Sequence, residues 1–108
     1  MTSRVVSALV LAIVALSGCA AVRGTYFIAD AQKHVRAAEA SGAPETAVYA
    51  WTMADEYMRK SWEEWGNSDY EDAENLAKKA AEWADKAEQI TRSGGGTPML
   101  DDVPVEAP

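Results

Sequence analysis

Apolar residues recur along most of this chain at helical spacing. Ile28, Ala31, Val35 and Ala38 step by three, four and three, which is one stripe of a helix. Thr25 is a candidate cap at its start, and Ser41-Gly42-Ala43-Pro44 breaks it after Ala40. Gly42 suits the position just past a helix end, and Pro44 suits the first turn of the next helix. A second helix is predicted from Pro44 to Trp65, with Ala47, Trp51, Ala54, Met58, Trp62 and Trp65 on one face. Val48, Tyr49 and Tyr57 widen that face. Gly66-Asn67 ends it, and Ser68-Asp69-Tyr70-Glu71 has the form of a capping box for a third helix from Asp69 to Thr91.

The third helix has the strongest pattern. Ala73, Ala80 and Ala87 recur every seven residues, as do Leu76, Trp83 and Ile90, and Ala77 and Ala84 share that spacing. The stripe thus has a small side, which admits a close neighbour, and a large side, which fills the flanks. Such a length is at the lower limit for a free-standing coiled coil. A small antiparallel hairpin or three-helix bundle is the predicted all-α fold. Acid-before-base pairs four apart mark the solvated faces: Asp55–Arg59, Glu56–Lys60, Glu74–Lys78, Glu82–Lys86 and Glu88–Arg92.

The apolar pattern before Thr25 is different, because it is continuous. Arg4 precedes an apolar run from Val5 to Leu16 that only Ser7 interrupts. A run of about a dozen residues is short for a mature span, which needs ~20, but it suits the core of a secretory signal. Ser17 and Gly18 supply small side chains before Cys19, the only cysteine. Leu16-Ser17-Gly18-Cys19 resembles the lipobox of bacterial lipoproteins. That resemblance implies cleavage before Cys19 and covalent lipid on its thiol, palmitate-type acylation included, with no other cofactor. The alternative is an ordinary signal cut further on. By the same resemblance, Ala20 after the cysteine, where an inner-membrane retention signal often has aspartate, implies the outer membrane, facing the periplasm, with the inner membrane as the alternative. The expected organisation is a signal peptide over 1–18, a lipidated tether over 19–24, a helical domain over 25–92 and a disordered acidic tail over 93–108.

Charge and composition narrow the function. The chain carries a formal charge of -7, and -8 once Arg4 is removed with the leader. That argues against nucleic acid and against anionic headgroups as partners. One histidine and one cysteine leave no metal-ligand spacing. Ser93-Gly94-Gly95-Gly96-Thr97-Pro98 is a flexible break, and Asp101, Asp102 and Glu106 make the tail acidic.

From Ala37 to Ile90 the chain resembles the bacterial family called domain of unknown function 4398. The resemblance rests on Ala37-Ala38-Glu39-Ala40-Ser41-Gly42-Ala43, on Tyr49-Ala50, on the Asp69-Tyr70 turn, and on Ala73, Leu76-Ala77, Ala80-Ala81, Ala84 and Ala87. It implies a small envelope protein with an alanine-rich helical pair and brings no catalytic residues. The helical hairpin is also similar to a single tetratricopeptide-like unit, but such repeats need about three copies to build a continuous core.

The candidate interaction residues are aromatic. Trp51, Trp62, Trp65 and Trp83 can fill the space that so many alanines leave, or present an aromatic patch. Trp62, Trp65, Trp83 and Tyr70 are the candidates for a partner surface, with Trp62 and Trp65 first because they flank the turn. His34, next to the first helix's apolar stripe, is expected to be a surface or boundary residue with no nearby partner for a metal site or a nucleophile. Glu63, Glu64, Asp69, Glu71, Asp72 and Glu74 are expected to form a solvated acidic helix end, lacking the ligand spacing of a calcium loop. The expectation is therefore a membrane-anchored lipoprotein without catalysis or a small-molecule substrate, with a structural or adaptor role toward an envelope protein or its own copies. The alternative is a cell-wall (peptidoglycan) binding module that uses exposed aromatic residues.

Overall fold

The computed structural model describes residues 1–94, except the side chain of Ser17. The tail expected from Ser93 onward lies, beyond Gly94, outside the described residues. Among the described residues four helices follow one another: α1 (Thr2–Ala40), α2 (Ala43–Thr46), α3 (Val48–Gly66) and α4 (Tyr70–Arg92). The fold is all-α. α1, α3 and α4 run up, down and up, so α1 and α4 are parallel neighbours. α4 packs along both others, and α2 is a single turn joining α1 to α3.

Alanine makes this packing close. Ala73, Ala77, Ala80, Ala84 and Ala87 on α4 are fully buried, as are Ala38, Ala43, Ala47, Ala50 and Ala54 from the facing elements. With only a methyl group at each site, helix backbones approach closely and little side-chain entropy is lost. Ile28, Met53, Tyr57, Met58 and Trp83 supply the bulk, and Phe27, Trp51, Trp65, Leu76 and Ile90 pack around the margin. The two-sided stripe of α4 is thus placed as its spacing predicts. Ser61 is a small residue of another kind in this seam. It is fully buried, and its hydroxyl donates to the Ala73 carbonyl across 2.6 Å, joining α3 to α4.

The helix ends differ from expectation in three places. α1 does not begin at Thr25 but runs unbroken from Thr2 through the segment expected as a tether. Thr25 lies inside it, with its hydroxyl donating back to the Ala21 carbonyl. Nothing between Cys19 and Thr25 stops a helix: Ala20, Ala21, Val22 and Arg23 carry no proline, and Gly24 costs only about 1 kcal/mol relative to alanine.

The predicted second helix is divided at Ala47, whose backbone leaves the helical region at φ -135° and ψ 54°. β-Branched Thr46 and Val48 flank the break and are weak helix formers. The Thr46 and Thr91 hydroxyls lie 2.8 Å apart, which fastens α2 to the end of α4. Before it, Gly42 takes φ +91°, the left-handed conformation expected just past a helix end.

The third difference is the capping box, which does not form. Ser68 has φ +62°, and its N–H donates to the Trp65 carbonyl while that of Asp69 donates to Glu64. These two bonds close α3 in a Schellman motif with Ser68 at the left-handed position. A helix N-cap needs extended backbone, so Ser68 cannot serve both ends. Asp69 takes the N-cap position instead, without a side-chain capping bond.

Candidate functional site

The features that point to function lie at one end of the bundle, where α1 leaves it and α3 turns into α4. Gly24 sits against Tyr70 there: a Cβ on Gly24 would meet the Tyr70 carbonyl oxygen at 3.3 Å. One further contact fixes the same level on α3, because the Trp65 indole N–H donates to the Thr25 hydroxyl across 3.1 Å.

Three aromatic rings are linked at this end. Trp62 meets Trp65 edge-to-face at 5.8 Å between centroids, and Trp65 meets Tyr70 at 6.3 Å. Trp62 is 43% exposed, whereas Trp65 and Tyr70 are half-buried. Three of the four candidate interaction residues are therefore together. The fourth is elsewhere: Trp83 is only 8% exposed and packs edge-to-face on Tyr49 at 5.7 Å. Its place on the large side of the α4 stripe draws it into the core. Tyr26, not among the candidates, is well exposed one residue from Thr25 and stands edge-to-face on Phe27.

Beyond the aromatic end, α1 is a bare apolar helix. Its apolar segment is not buried anywhere against the bundle. By length and composition it can cross a membrane, and a signal sequence has the same properties. Cys19 lies where this segment joins the bundle, exposed and unpaired to another cysteine. A shallow groove of about 560 Å³ beside it is lined by Leu16, Arg23, Tyr70, Glu71 and Glu74, among others.

Polar side chains fasten α1 to α4 along one edge. Arg23 Nε lies 3.1 Å from both carboxylate oxygens of Glu74, and Lys78 Nζ is 2.9 Å from Oε1. Lys78 also covers the Phe27 ring at 4.5 Å. The Lys78 hydrogen bond and the Arg23 charge hold the Glu74 carboxyl below its ordinary range, against the opposing effect of its burial. Further up, His34 Nδ1 lies 2.6 Å from Asp85 Oδ1, with Asp30 at 3.7 Å from Nε2. His34 is a boundary residue, as expected, and it is also a strut between two helices.

The acidic turn is a site of repulsion. Glu64, Asp69 and Asp72 each place a carboxylate oxygen within 4.8 Å of the others. The Asp69 charge, helped by a hydrogen bond between the two side chains, raises the Asp72 carboxyl above its ordinary range. Glu64 is half-buried, and Asp69 and Asp72 are exposed.

No curated protein and no solved structure matches the chain. A family model does, over residues 27–94, which takes in the last part of α1 and all of α2, α3 and α4. The match leaves out the bare apolar helix and Cys19, so it bears on the bundle alone. By that match the chain belongs to the family described as Domain of unknown function (DUF4398).

Proposed function

We propose that this protein is an envelope lipoprotein whose bundle is a structural or adaptor module held at a membrane. The observation that carries this reading is the division of α1. Its first part is apolar and wholly exposed, and its last part is built into the bundle. An exposed apolar helix in water is unfavourable at about 25 cal/mol per Å2, so the segment calls for a membrane or for removal. Leu16-Ser17-Gly18-Cys19 supplies the means of removal, and lipid on Cys19 then replaces the helix as anchor. Two or more acyl chains give stable attachment. The outer membrane, with the bundle in the periplasm, is the proposed location.

The anchoring is tested by growing cells with an alkyne fatty acid. Label should enter the chain, the mature mass should begin at Cys19, and Cys19→Ser should abolish both. Unlabelled, full-length chain in the membrane would mean that α1 itself is the anchor. The adaptor role is tested by cross-linking in cells. A recurrent envelope protein joined to α3 or α4 supports it, and links only between copies of this chain support a self-associating structural role.

A second reading, binding to cell-wall polymer, is favoured by the exposure of Trp62 beside Trp65 and Tyr70. It requires the chain to sediment with purified peptidoglycan and Trp62→Ala to weaken that sedimentation.

A further inference from the structure

Resting on the anchoring proposed above, we infer that Trp62, Trp65, Tyr70 and Tyr26 contact the headgroup layer of the membrane that holds the chain. The α3–α4 turn is then the membrane-facing end of the bundle. Gly24 touches Tyr70, and Thr25 accepts from the Trp65 indole. Cys19 precedes these residues by five and six positions on the same unbroken helix. At 1.5 Å per residue that separation is about 8–9 Å along the axis. The polar layer on each side of a bilayer is roughly 5–7 Å thick, the difference between its total and hydrocarbon dimensions. A tilt of α1 of about 35–40° reduces the separation to about 7 Å and brings the level of Trp65 and Tyr70 into it. The same register holds whether the anchor is lipid on Cys19 or the intact apolar helix, since both put Cys19 at the hydrocarbon boundary.

The chemistry of the rings fits this depth. Tryptophan and tyrosine favour the headgroup level, where the ring is sheltered and its N–H or O–H stays hydrated. Trp62 and Tyr26 are exposed here, and Val22, exposed on the same helix, extends the apolar surface toward Cys19. The far end of the bundle, at Gly42 and Ala47, is separated from this layer by the length of the helices. Glu64, Asp69 and Asp72 at the turn set the lipid class. Their charge repels anionic headgroups and leaves zwitterionic ones, such as phosphatidylethanolamine, as the partner.

The test uses the full chain purified from membranes and reconstituted in phosphatidylethanolamine–phosphatidylcholine vesicles. Flotation reports anchoring, and quenching of tryptophan emission by nitroxide-bearing lipids reports contact. Headgroup nitroxides should quench more strongly than nitroxides deep in the acyl chains. Trp62→Phe/Trp65→Phe should lose most of that quenching, Trp51→Phe should keep it, and added anionic lipid should weaken it. A chain that floats but is not quenched at headgroup depth overturns the inference while the anchor stands. So does quenching that survives in Trp62→Phe/Trp65→Phe. A chain that does not float overturns both. Should the double variant lose helicity, the depth preference of the unaltered chain decides alone. Sedimentation with peptidoglycan that depends on Trp62, without headgroup quenching, assigns the rings to the polymer and overturns the inference.

Discussion

Gly24 and Tyr70 meet backbone to backbone where α1 enters the bundle, and a methyl group on Gly24 would sit 3.3 Å from the Tyr70 carbonyl oxygen. Two effects oppose each other at this position. Alanine would strengthen the helix by about 1 kcal/mol relative to glycine, but α4 would have to give by a few tenths of an ångström. Gly24→Ala should therefore leave stability nearly unchanged. Gly24→Leu cannot be accommodated so and should destabilise by about 1–3 kcal/mol through overpacking. Urea unfolding followed by circular dichroism separates the two. An unaffected leucine variant would mean that α1 does not pack on α4 here.

The core of this bundle could be read from the sequence, because burial follows the spacing of apolar residues. Every alanine of the α4 stripe from Ala73 to Ala87 is where its period puts it. The seam between α1 and α4 could not be read so. Arg23 pairs with Glu74, Phe27 with Lys78, and His34 with Asp85, each across the same offset of 51 residues. That offset arises from two parallel helices held in fixed register by α3, and a tertiary offset leaves no trace in local periodicity. The sequence around Ser68 misleads for a related reason. Ser-x-x-Glu announces an N-cap only when the preceding helix does not claim the same residue for its own closure. Of the candidate site, Trp62, Trp65 and Tyr70 were legible from their nearness to the turn. Trp83 shares their chemistry but lies on the face that the heptad spacing commits to the core.

Glu74 makes the bundle sensitive to acid. Its carboxyl is held below the ordinary range by Lys78 and Arg23. The unfolded chain therefore binds this proton more readily than the folded one, and the contribution of Glu74 to stability is present above its unfolded pKa. It is lost as pH falls through the folded value. Thermal midpoints measured from neutral pH into the acid range should fall, and Glu74→Gln should flatten part of that decline. At neutral pH the same variant should be less stable, because Arg23 and Lys78 then face each other without the carboxylate. An unchanged acid limb in Glu74→Gln would show that the pair is not formed in solution.

Asp72 works in the opposite direction. Asp69 raises its carboxyl, so the folded state holds this proton more tightly than the unfolded chain does. Its ionised form opposes folding at neutral pH, and that opposition is relieved as pH falls through the raised value. Asp72→Asn should raise the thermal midpoint at neutral pH, and its advantage should shrink on acidification and in high salt. Favourable interaction of Asp72 with the start of α4 works against this gain. A lower midpoint for Asp72→Asn at neutral pH would mean that the helix-end interaction exceeds the repulsion from Asp69.

The effect of replacing Ser68 depends in sign on which helix it serves. Its φ of +62° is a left-handed conformation that costs a residue with a Cβ about 1–2 kcal/mol and glycine far less. The gain is partly offset by the greater freedom of glycine in the unfolded chain. Ser68→Gly should thus stabilise the protein by about 0.5–1 kcal/mol, since Asp69 and not Ser68 takes the N-cap position of α4. Had Ser68 capped α4, the same substitution would cost a few tenths of a kcal/mol. Chemical denaturation of the two proteins side by side reads the sign directly. A stabilised Ser68→Gly assigns residue 68 to the closure of α3, and a destabilised one restores the capping box.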